Sequence, residues 1–192
     1  MLRIIGGEWR SRKLPFPEIE GLRPTPDRVR ETLFNWLQHI TPSARCLDLF
    51  AGSGALGLEA LSRGADSVTF IDNAYEAARQ LKDNLTLLKC QNGEVITSAA
   101  LSWLEARQTD TEPRYDLVFL DPPFRKDMIS LICELLEKQN LLSDNAAIYI
   151  EAESDLKQLT VPDNWQESRC KIAGQVTYRL FFRSPKSQTE QS

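Results

Sequence analysis

Apolar residues follow two alternating patterns along most of the chain. The short apolar runs lie at 45–50, 67–72, 94–97, 115–120 and 146–151. Their length and composition are those of buried strands. Between these runs, apolar residues recur every three or four positions, as Leu81, Leu85 and Leu88 do, and predict helices. One such helix is predicted over 126–138. Strands separated by helices indicate a parallel, doubly wound sheet.

The end of the chain lacks the intervening helix. Strands are predicted at 168–173 and 175–183, with only Gly174 between them. Strands joined by so short a connection pair in the antiparallel direction. We therefore expect an α/β fold with three layers. Its doubly wound sheet of about seven strands is mostly parallel, with an antiparallel C-terminal edge hairpin.

The beginning of the chain predicts a hairpin and a helix outside the alternating region. Residues 3–10 suit a hairpin that turns at Gly6-Gly7, a strong turn dipeptide. Thr25 suits an N-cap and Pro26 the first position of a helix over 26–38. We expect this small hairpin to lie in an N-terminal arm that precedes the sheet.

Length and composition indicate one domain with two extensions. A chain of 192 residues with 42% hydrophobic residues has the size and core of a single globular domain. We expect a basic N-terminal arm at 1–25, one α/β domain at 26–183, and a disordered polar tail at 184–192.

The charge is unevenly distributed. The formal net charge is −4, which argues against a uniformly basic nucleic-acid-binding surface. The first 30 residues carry seven basic and four acidic groups, so the remaining chain has 16 basic against 23 acidic groups. This asymmetry points to a partner that contacts the beginning of the chain.

Several classes of protein are disfavoured. The first residues lack the apolar core of a secretory signal, and no apolar stretch is long enough to span a membrane. No pair of cysteines has the short spacing of a zinc site, and a chain of this length needs no disulfide framework. The cysteines are Cys46, Cys90, Cys133 and Cys170. We expect a cytoplasmic protein with reduced thiols, no metal and no membrane contact.

A glycine-rich loop follows the first predicted strand of the sheet. Gly52, Gly54 and Gly57 form the pattern G-x-G-x-x-G between a strand and a helix. Asp72 follows Gly52 by 20 residues and ends the next strand, where an acid can accept hydrogen bonds from ribose hydroxyls. Either a nicotinamide dinucleotide or S-adenosylmethionine fits this pattern. The Asp48 carboxylate suits a cationic amino group better than a pyrophosphate, and so favours S-adenosylmethionine.

A second candidate loop leaves the strand at 115–120. It reads Asp121-Pro122-Pro123-Phe124. The prolines stiffen the turn, so the Asp121 carboxylate and the Pro122 carbonyl become a fixed pair of acceptors. Such a pair can hold the two N–H donors of an exocyclic amino group on a nucleobase, while Phe124 offers a face for stacking an extruded base. Methyl transfer to that nitrogen then depends mainly on positioning.

Together these motifs resemble the bacterial 16S ribosomal RNA guanine-N2 methyltransferases. The resemblance is carried by segments 3–10, 21–31, 47–64, 121–124 and 173–180. It implies a class I, Rossmann-like methyltransferase fold and methyl transfer from S-adenosylmethionine to the N2 amino group of a guanine in 16S ribosomal RNA. We expect a monomer, and the sequence leaves open whether its substrate is free RNA or the assembled small subunit.

The resemblance also implies roles for individual residues. Asp48, Gly52, Ser53 and Gly54 line the methionine and ribose side of the cofactor site. Asp72 stands where the family commonly has glutamate and keeps the carboxylate. Asp121, Pro122 and Phe124 hold the guanine. Ala99 replaces a polar residue that related enzymes direct at the adenine, which leaves the backbone N–H of Ala100 to contact that ring.

The N-terminal arm contains the residues that we predict to bind RNA. Trp9 with Arg10, Arg12 and Lys13 offers a ring for stacking and cations for phosphates. Arg28 and Arg30 are weaker candidates for the same role.

Three alternatives remain open at this point. An adenine-N6 DNA or RNA methyltransferase also uses an Asp-Pro-Pro-aromatic loop. A dehydrogenase would use the glycine loop for a nicotinamide dinucleotide, and a non-catalytic RNA-binding protein would keep the fold alone.

Overall fold

The computed structural model describes residues 1–17, 25–107, 114–123, 126–154 and 159–185. The strands are β1 Leu2–Arg3, β2 Lys13–Leu14, β3 Arg45–Asp48, β4 Ser67–Asp72, β5 Gly93–Thr97, β6 Tyr115–Leu120, β7 Leu142–Glu153, β8 Trp165–Ala173 and β9 Val176–Arg183. The helices are α1 Asp27–Trp36, α2 Ala55–Ser62, α3 Tyr75–Leu87, α4 Ala100–Glu105 and α5 Lys126–Lys138. The predicted tail lies outside the described residues from residue 186 onward.

Seven strands of the described chain form one sheet in the order β5-β4-β3-β6-β7-β9-β8. The strands from β5 to β7 run parallel, whereas β9 pairs antiparallel with both β7 and β8. The strand order reverses between β3 and β6, so the carboxyl ends of the central strands open a crevice there. The predicted doubly wound sheet with its antiparallel edge is confirmed.

Two apolar clusters bury the two faces of the sheet. One contains Leu58 of α2 and Phe70 of β4, and the other contains Ile132 of α5 and Ile148 of β7. Burying such side chains between helices and sheet is the main stabilising contribution of the fold. The central strands are therefore fixed, and the loops at their carboxyl ends have a rigid base.

The N-terminal hairpin differs from the prediction in its turn. Its strands β1 and β2 pair Leu2 with Leu14, and a loop over 4–12 joins them instead of a two-residue turn at Gly6-Gly7. Gly7 has a positive φ of 75°, and a Cβ there would overlap the Ser62 carbonyl at the end of α2. The glycine therefore serves a close approach to that helix.

Other boundaries also differ from the prediction. The cap of α1 is Pro26 and makes no side-chain hydrogen bond, so Thr25 is not the N-cap. The short helix α4 was not predicted, because six residues are too few to show a helical period. Strand β7 extends beyond the predicted segment at both ends.

The hairpin is attached to the sheet domain through a buried carboxylate on α2. The two oxygens of Glu59 accept the backbone N–H groups of Ile5 and Gly6 at 2.9 and 2.8 Å. The same carboxylate pairs with Arg63 at 2.8 Å and with buried Arg30 of α1 at 3.4 Å. One fully buried side chain thus joins the hairpin, α1 and α2.

No helix among the described ranges is long and apolar enough to cross a membrane. No group of three or more potential metal ligands occurs in the same ranges. All four cysteines are free thiols, and Cys46 and Cys133 are buried.

We expect Glu59→Ala to destabilise the protein by roughly 3–5 kcal/mol, since it removes the acceptor of two hairpin N–H groups and leaves buried Arg30 with only the partly exposed Asp27 as its carboxylate partner. Urea unfolding at neutral pH measures the loss. Glu134→Ala, at an exposed position of α5, is the control and should change the free energy of unfolding by less than about 0.5 kcal/mol. An equal effect of the two substitutions would contradict the attachment described here.

Candidate active site

A cavity of about 960 Å³ lies at the carboxyl ends of the central strands. Its wall includes the loops after β3, β4 and β6, the end of β7, and the segment that leads into α1. Four carboxyl groups line it, on Asp48, Asp72, Asp121 and Glu151. Among the described residues, no lysine, arginine or histidine lines it. The cavity therefore favours cations and N–H donors and disfavours phosphates.

The glycine loop after β3 is held by Asp72 at the end of β4. The Gly52 N–H donates to one Asp72 oxygen at 2.7 Å, and the Ala74 N–H donates to the other at 2.8 Å. Gly54 has a φ of 77°, and a Cβ there would lie 2.6 Å from the Leu81 side chain. A larger residue would therefore push the loop away from α3. Each Asp72 oxygen retains a further lone pair for a ligand.

Asp48 ends β3 at the base of this loop. Its carboxyl is buried and accepts the Gly57 N–H at 3.2 Å. Burial without a cation raises the pKa of Asp48 to about 7, and the nearby charges of Asp72 and Glu151 act in the same direction. Asp48 is thus a carboxylate whose ionised form gains from a cationic ligand.

Asp121 and Glu151 form a pair of carboxyl groups on neighbouring strands. Leu120 of β6 is in register with Ile150 of β7, so the next residues of the two strands lie side by side, and their carboxyl groups hydrogen-bond to each other. Burial and the charge of Glu151 raise the pKa of Asp121 well above its ordinary value. Burial likewise raises the pKa of Glu151. The pair therefore shares a proton more readily than two exposed acids would.

Two hydroxyl groups orient Glu151. The Tyr149 hydroxyl donates to Glu151 Oε1 at 2.7 Å. The Thr25 side chain, in the segment before α1, also hydrogen-bonds to this carboxylate. Both residues are buried, so the carboxyl group is held in one position beside Asp121.

Most of the residues predicted for the site lie at this one cavity. Its lining includes Asp48, Gly52, Ser53, Asp72, Ala100, Asp121 and Pro122. Gly54 lies in the same loop but is not part of the lining. Phe124, predicted to stack the base, lies outside the described residues.

Sequence reasoning missed Glu151, Tyr149 and Thr25. The sequence did contain a signal for Glu151, because this acid ends the strand predicted at 146–151. Asp48 and Asp121 have comparable positions at the glycine loop and at the Asp-Pro-Pro-Phe loop. Tyr149 gave no such signal, since a tyrosine within an apolar strand indicates only packing. Thr25 was assigned to a helix cap.

The predicted RNA-binding residues divide into exposed and buried groups. Arg10, Arg12 and Lys13 are exposed. Trp9 is buried, and its backbone N–H donates to Ser62 Oγ at 2.9 Å, so its ring packs in the core and is unsuited to stacking on a base. Arg30 is also buried, at 1% exposure, and is a structural residue. Arg28 is exposed.

The hairpin loop lies at the far end of α2 from the cavity. The Glu8 N–H donates to the carbonyl of Ser62, the last residue of α2, at 2.7 Å. The first residue of that helix, Ala55, lines the cavity. An eight-residue helix is about 12 Å long. The hairpin with its exposed cations is therefore separated from the cavity by about the length of α2, and these cations do not line the cavity.

Comparison with known proteins places this chain in a family. Residues 2–182 match the family model described as conserved hypothetical protein 95. Relatives named ribosomal RNA small subunit methyltransferase D, from Escherichia coli strain K12 and Haemophilus influenzae, are each 50% identical to this chain. These matches cover 98% and 94% of this chain, and 93% of each relative.

A solved structure gives the same result for the fold. It is described as a putative methyltransferase from Escherichia coli, superposes with a TM-score of 0.88 at 48% identity, and is matched over 96% of this chain and 99% of its own. The expected class I methyltransferase fold is thereby confirmed. This chain therefore belongs to the conserved hypothetical protein 95 family and is a relative, over nearly its whole length, of the ribosomal RNA small subunit methyltransferases D.

Proposed function

We propose that this protein transfers a methyl group from S-adenosylmethionine to the N2 amino group of a guanine in the RNA of the small ribosomal subunit. One observation carries the proposal. The glycine loop and the Asp121-Pro122 loop open into a single cavity, lined by four carboxyl groups and, in the described chain, by no basic residue. The names of the relatives support the class of RNA.

The cavity fits S-adenosylmethionine better than a dinucleotide. This cofactor carries two cationic centres, an amino group and a sulfonium, and no phosphate. Buried Asp48 is suited to the amino group, and Asp72 keeps lone pairs for ribose hydroxyls. A pyrophosphate would instead meet four carboxyl groups without a counter-charge, which disfavours the dehydrogenase alternative.

The adenine ring would meet the start of α4. Ser98, Ala99 and Ala100 line that side of the cavity. No side chain caps this helix, so N–H groups of its first turn are available to a ligand. Backbone recognition of this kind does not need the polar side chain that Ala99 replaces.

When bound, S-adenosylmethionine supplies a methyl group that is electrophilic because it is attached to a sulfonium. The chain's own part is to position the nucleophile. The Asp121 carboxylate and the Pro122 carbonyl accept the two N–H bonds of the amino group, which directs the nitrogen lone pair toward the methionine side of the cavity. Pre-positioning of this type supplies much of the rate enhancement of a displacement reaction.

Asp121 also suits the proton that the amino nitrogen must lose. The nitrogen gains a bond to the methyl carbon while the carbon–sulfur bond breaks and its electron pair stays on sulfur, which leaves a neutral thioether. The nitrogen thereby becomes positively charged, so one of its N–H bonds becomes acidic. The raised pKa of Asp121 means that its carboxylate binds a proton more strongly than an ordinary aspartate does. It can therefore receive the proton at the hydrogen bond that already holds the amino group.

The RNA would approach along the hairpin side of the cavity. Arg10, Arg12 and Lys13 are exposed on the hairpin, and Arg28 is exposed on the first turn of α1, close to the cavity-lining Pro26. These cations suit phosphates that remain outside the acidic cavity. The proposal thus assigns the basic surface to the RNA backbone and the acidic cavity to cofactor and base.

We expect the protein to form N2-methylguanosine in small-subunit RNA that lacks the modification. Radiolabelled S-adenosylmethionine is incubated with naked RNA or with subunits, and the labelled nucleosides are identified. Asp121→Asn should lower the rate by about 10²-fold or more, because it removes the proton acceptor. Asp83→Asn, exposed on α3, should leave the rate unchanged. Label in N6-methyladenosine would overturn the proposal.

Asp48→Asn should stabilise the ligand-free protein more at pH 8 than at pH 4.5. The pKa of Asp48 is raised from 3.8 to about 7 on folding, so ionisation costs stability as the pH rises through this interval. The variant has no such cost, and its advantage should grow by about 2–4 kcal/mol across the interval. Urea unfolding at both pH values measures it. The same variant should bind S-adenosylmethionine at least about tenfold more weakly at pH 8. A pH-independent difference in stability would refute the assignment.

Replacing Arg12 and Lys13 by glutamine should weaken RNA binding and reduce its dependence on salt. Each lost phosphate contact lowers the slope of log K against log salt by about 0.7–0.9. RNA affinity is measured between about 50 and 200 mM salt. The control replaces Arg169 and Lys171 by glutamine; both are exposed on the edge strand β8 of the large sheet, outside the hairpin. Equal slopes for the two double variants would exclude the hairpin as the RNA-binding surface.

A further inference from the structure

Glu151 occupies a position in the cavity that the methyl-transfer steps above do not use. It lies in the buried part of β7, near the carboxyl end of that strand, and in register beside Asp121, which directly follows the neighbouring parallel strand. Adjacent strands lie about 4.8 Å apart, so side chains from the two strand ends can converge on neighbouring groups of one bound base. Its side chain is 8% exposed and forms part of the cavity wall.

The surroundings of Glu151 are not those of a structural ion pair. Its described partners are the Tyr149 hydroxyl, the Thr25 hydroxyl and the Asp121 carboxyl. Within the described ranges, no ion pair joins it to a cation, in contrast to Glu59, which contacts two arginines. A buried acid without a cation costs free energy, and the fold alone does not require that cost.

From this geometry we infer that Glu151 recognises the target guanine by accepting its N1–H, while Asp121 and Pro122 hold the neighbouring N2 amino group. The inference rests on the proposed function and names how that site selects its base. Guanine presents N1–H and N2–H₂ donors side by side on its Watson–Crick edge. Two adjacent carboxyl groups are the complementary acceptors.

The same arrangement rejects adenine. Adenine presents a lone pair at N1 where guanine presents an N–H. Once the pair has lost its shared proton, the ionised Glu151 carboxylate facing that lone pair gains no hydrogen bond and is left partly desolvated. Sites built around a specific hydrogen bond reject a base that lacks it. Glu151 thus distinguishes guanine-N2 from adenine-N6 transfer, although both reactions use an Asp-Pro-Pro loop.

The proton on the carboxyl pair adds a pH dependence. Among the described residues, the titratable groups facing Glu151 are Asp121 after β6, Asp48 from β3, Tyr149 on its own strand and Tyr178 from β9. None of them is a cation, and the acids favour a shared proton in the ligand-free site. Guanine needs acceptors, so its binding releases that proton and the reaction should be faster as pH rises.

The test compares two bases at the target position, once that position has been located with the wild-type protein. Small-subunit RNA is prepared with guanosine or with the 2-aminopurine ribonucleoside there. Both have the 2-amino group, but the N1 of 2-aminopurine is an acceptor without hydrogen. Methyl transfer is measured as kcat/KM for each RNA, with the wild-type protein and with Glu151→Gln.

We expect the wild-type protein to prefer guanine by about 10²-fold. In Glu151→Gln, kcat/KM for guanine should fall by a similar factor. The preference should shrink to less than about tenfold, because the carboxamide N–H can donate to the N1 lone pair of 2-aminopurine. The acidic limb of the pH profile should move to lower pH, since Asp121 loses a charged neighbour. 2-Aminopurine also lacks the O6 of guanine, and this difference lowers or raises the preference equally in the wild-type protein and in Glu151→Gln. The change in preference between the two proteins therefore reports on N1 alone.

Two further variants keep the test decisive. Glu153→Gln, exposed two residues farther along β7, should match the wild-type protein in rate and preference. Tyr149→Phe removes the 2.7 Å hydrogen bond but keeps the carboxylate. It should therefore lower the guanine preference severalfold, and it replaces Glu151→Gln if that variant does not fold.

The outcomes separate this inference from the proposed function. If the wild-type protein forms no N2-methylguanosine, the proposed function fails. If it does, but Glu151→Gln lowers transfer to both bases equally and leaves the pH profile in place, Glu151 is only structural and the inference fails. An unchanged preference in Tyr149→Phe, with Glu151→Gln unfolded, would also overturn it.

Discussion

The contact between Glu59 and Arg30 is the constraint that links the hairpin to the cavity. Glu59 binds the backbone of the hairpin loop and the Arg30 guanidinium, and Arg30 in turn donates to the carbonyls of Arg3 and Thr25. Thr25 then hydrogen-bonds through its side chain to Glu151. A continuous set of buried polar contacts therefore runs from the surface hairpin to the carboxyl pair. The hairpin is a part of the site's support, and its attachment fixes where the segment before α1 closes the cavity.

The buried carboxyl groups of the cavity destabilise the ligand-free protein. Asp48, Asp121 and Glu151 all have raised pKa values because they are buried near one another without a cation. Such a cluster is destabilising until a ligand with positive charge or N–H donors enters it. The apolar clusters on both faces of the sheet hold the strand ends in place despite this repulsion. The strain is located where ligands bind, so ligand binding relieves it.

Sequence reasoning located the elements that repeat a regular pattern. Strands β4 and β6 and helix α5 were predicted with their observed bounds, because each has a full period and clear ends. Features set by tertiary contact were not accessible. Nothing in the local sequence distinguishes the buried, paired Arg30 from exposed Arg28, and Trp9 beside arginines resembles a stacking ring until its burial is known. Glu151 lies 30 residues from Asp121, and only the sheet order brings the two together.

Under the proposed function, the opposite charges of the cavity and the hairpin restrict how RNA would enter. Four carboxyl groups repel phosphates, so the RNA backbone must remain on the exposed cations outside. Only an uncharged base that has turned away from its backbone can reach Asp121, and unstacking that base costs a few kcal/mol. A base that offers three N–H donors to fixed acceptors recovers more of this cost than one that offers two. In the proposed function, acidity in the cavity therefore favours both an extruded base and the donor-rich edge of guanine, which is how a net acidic protein would act on a polyanion.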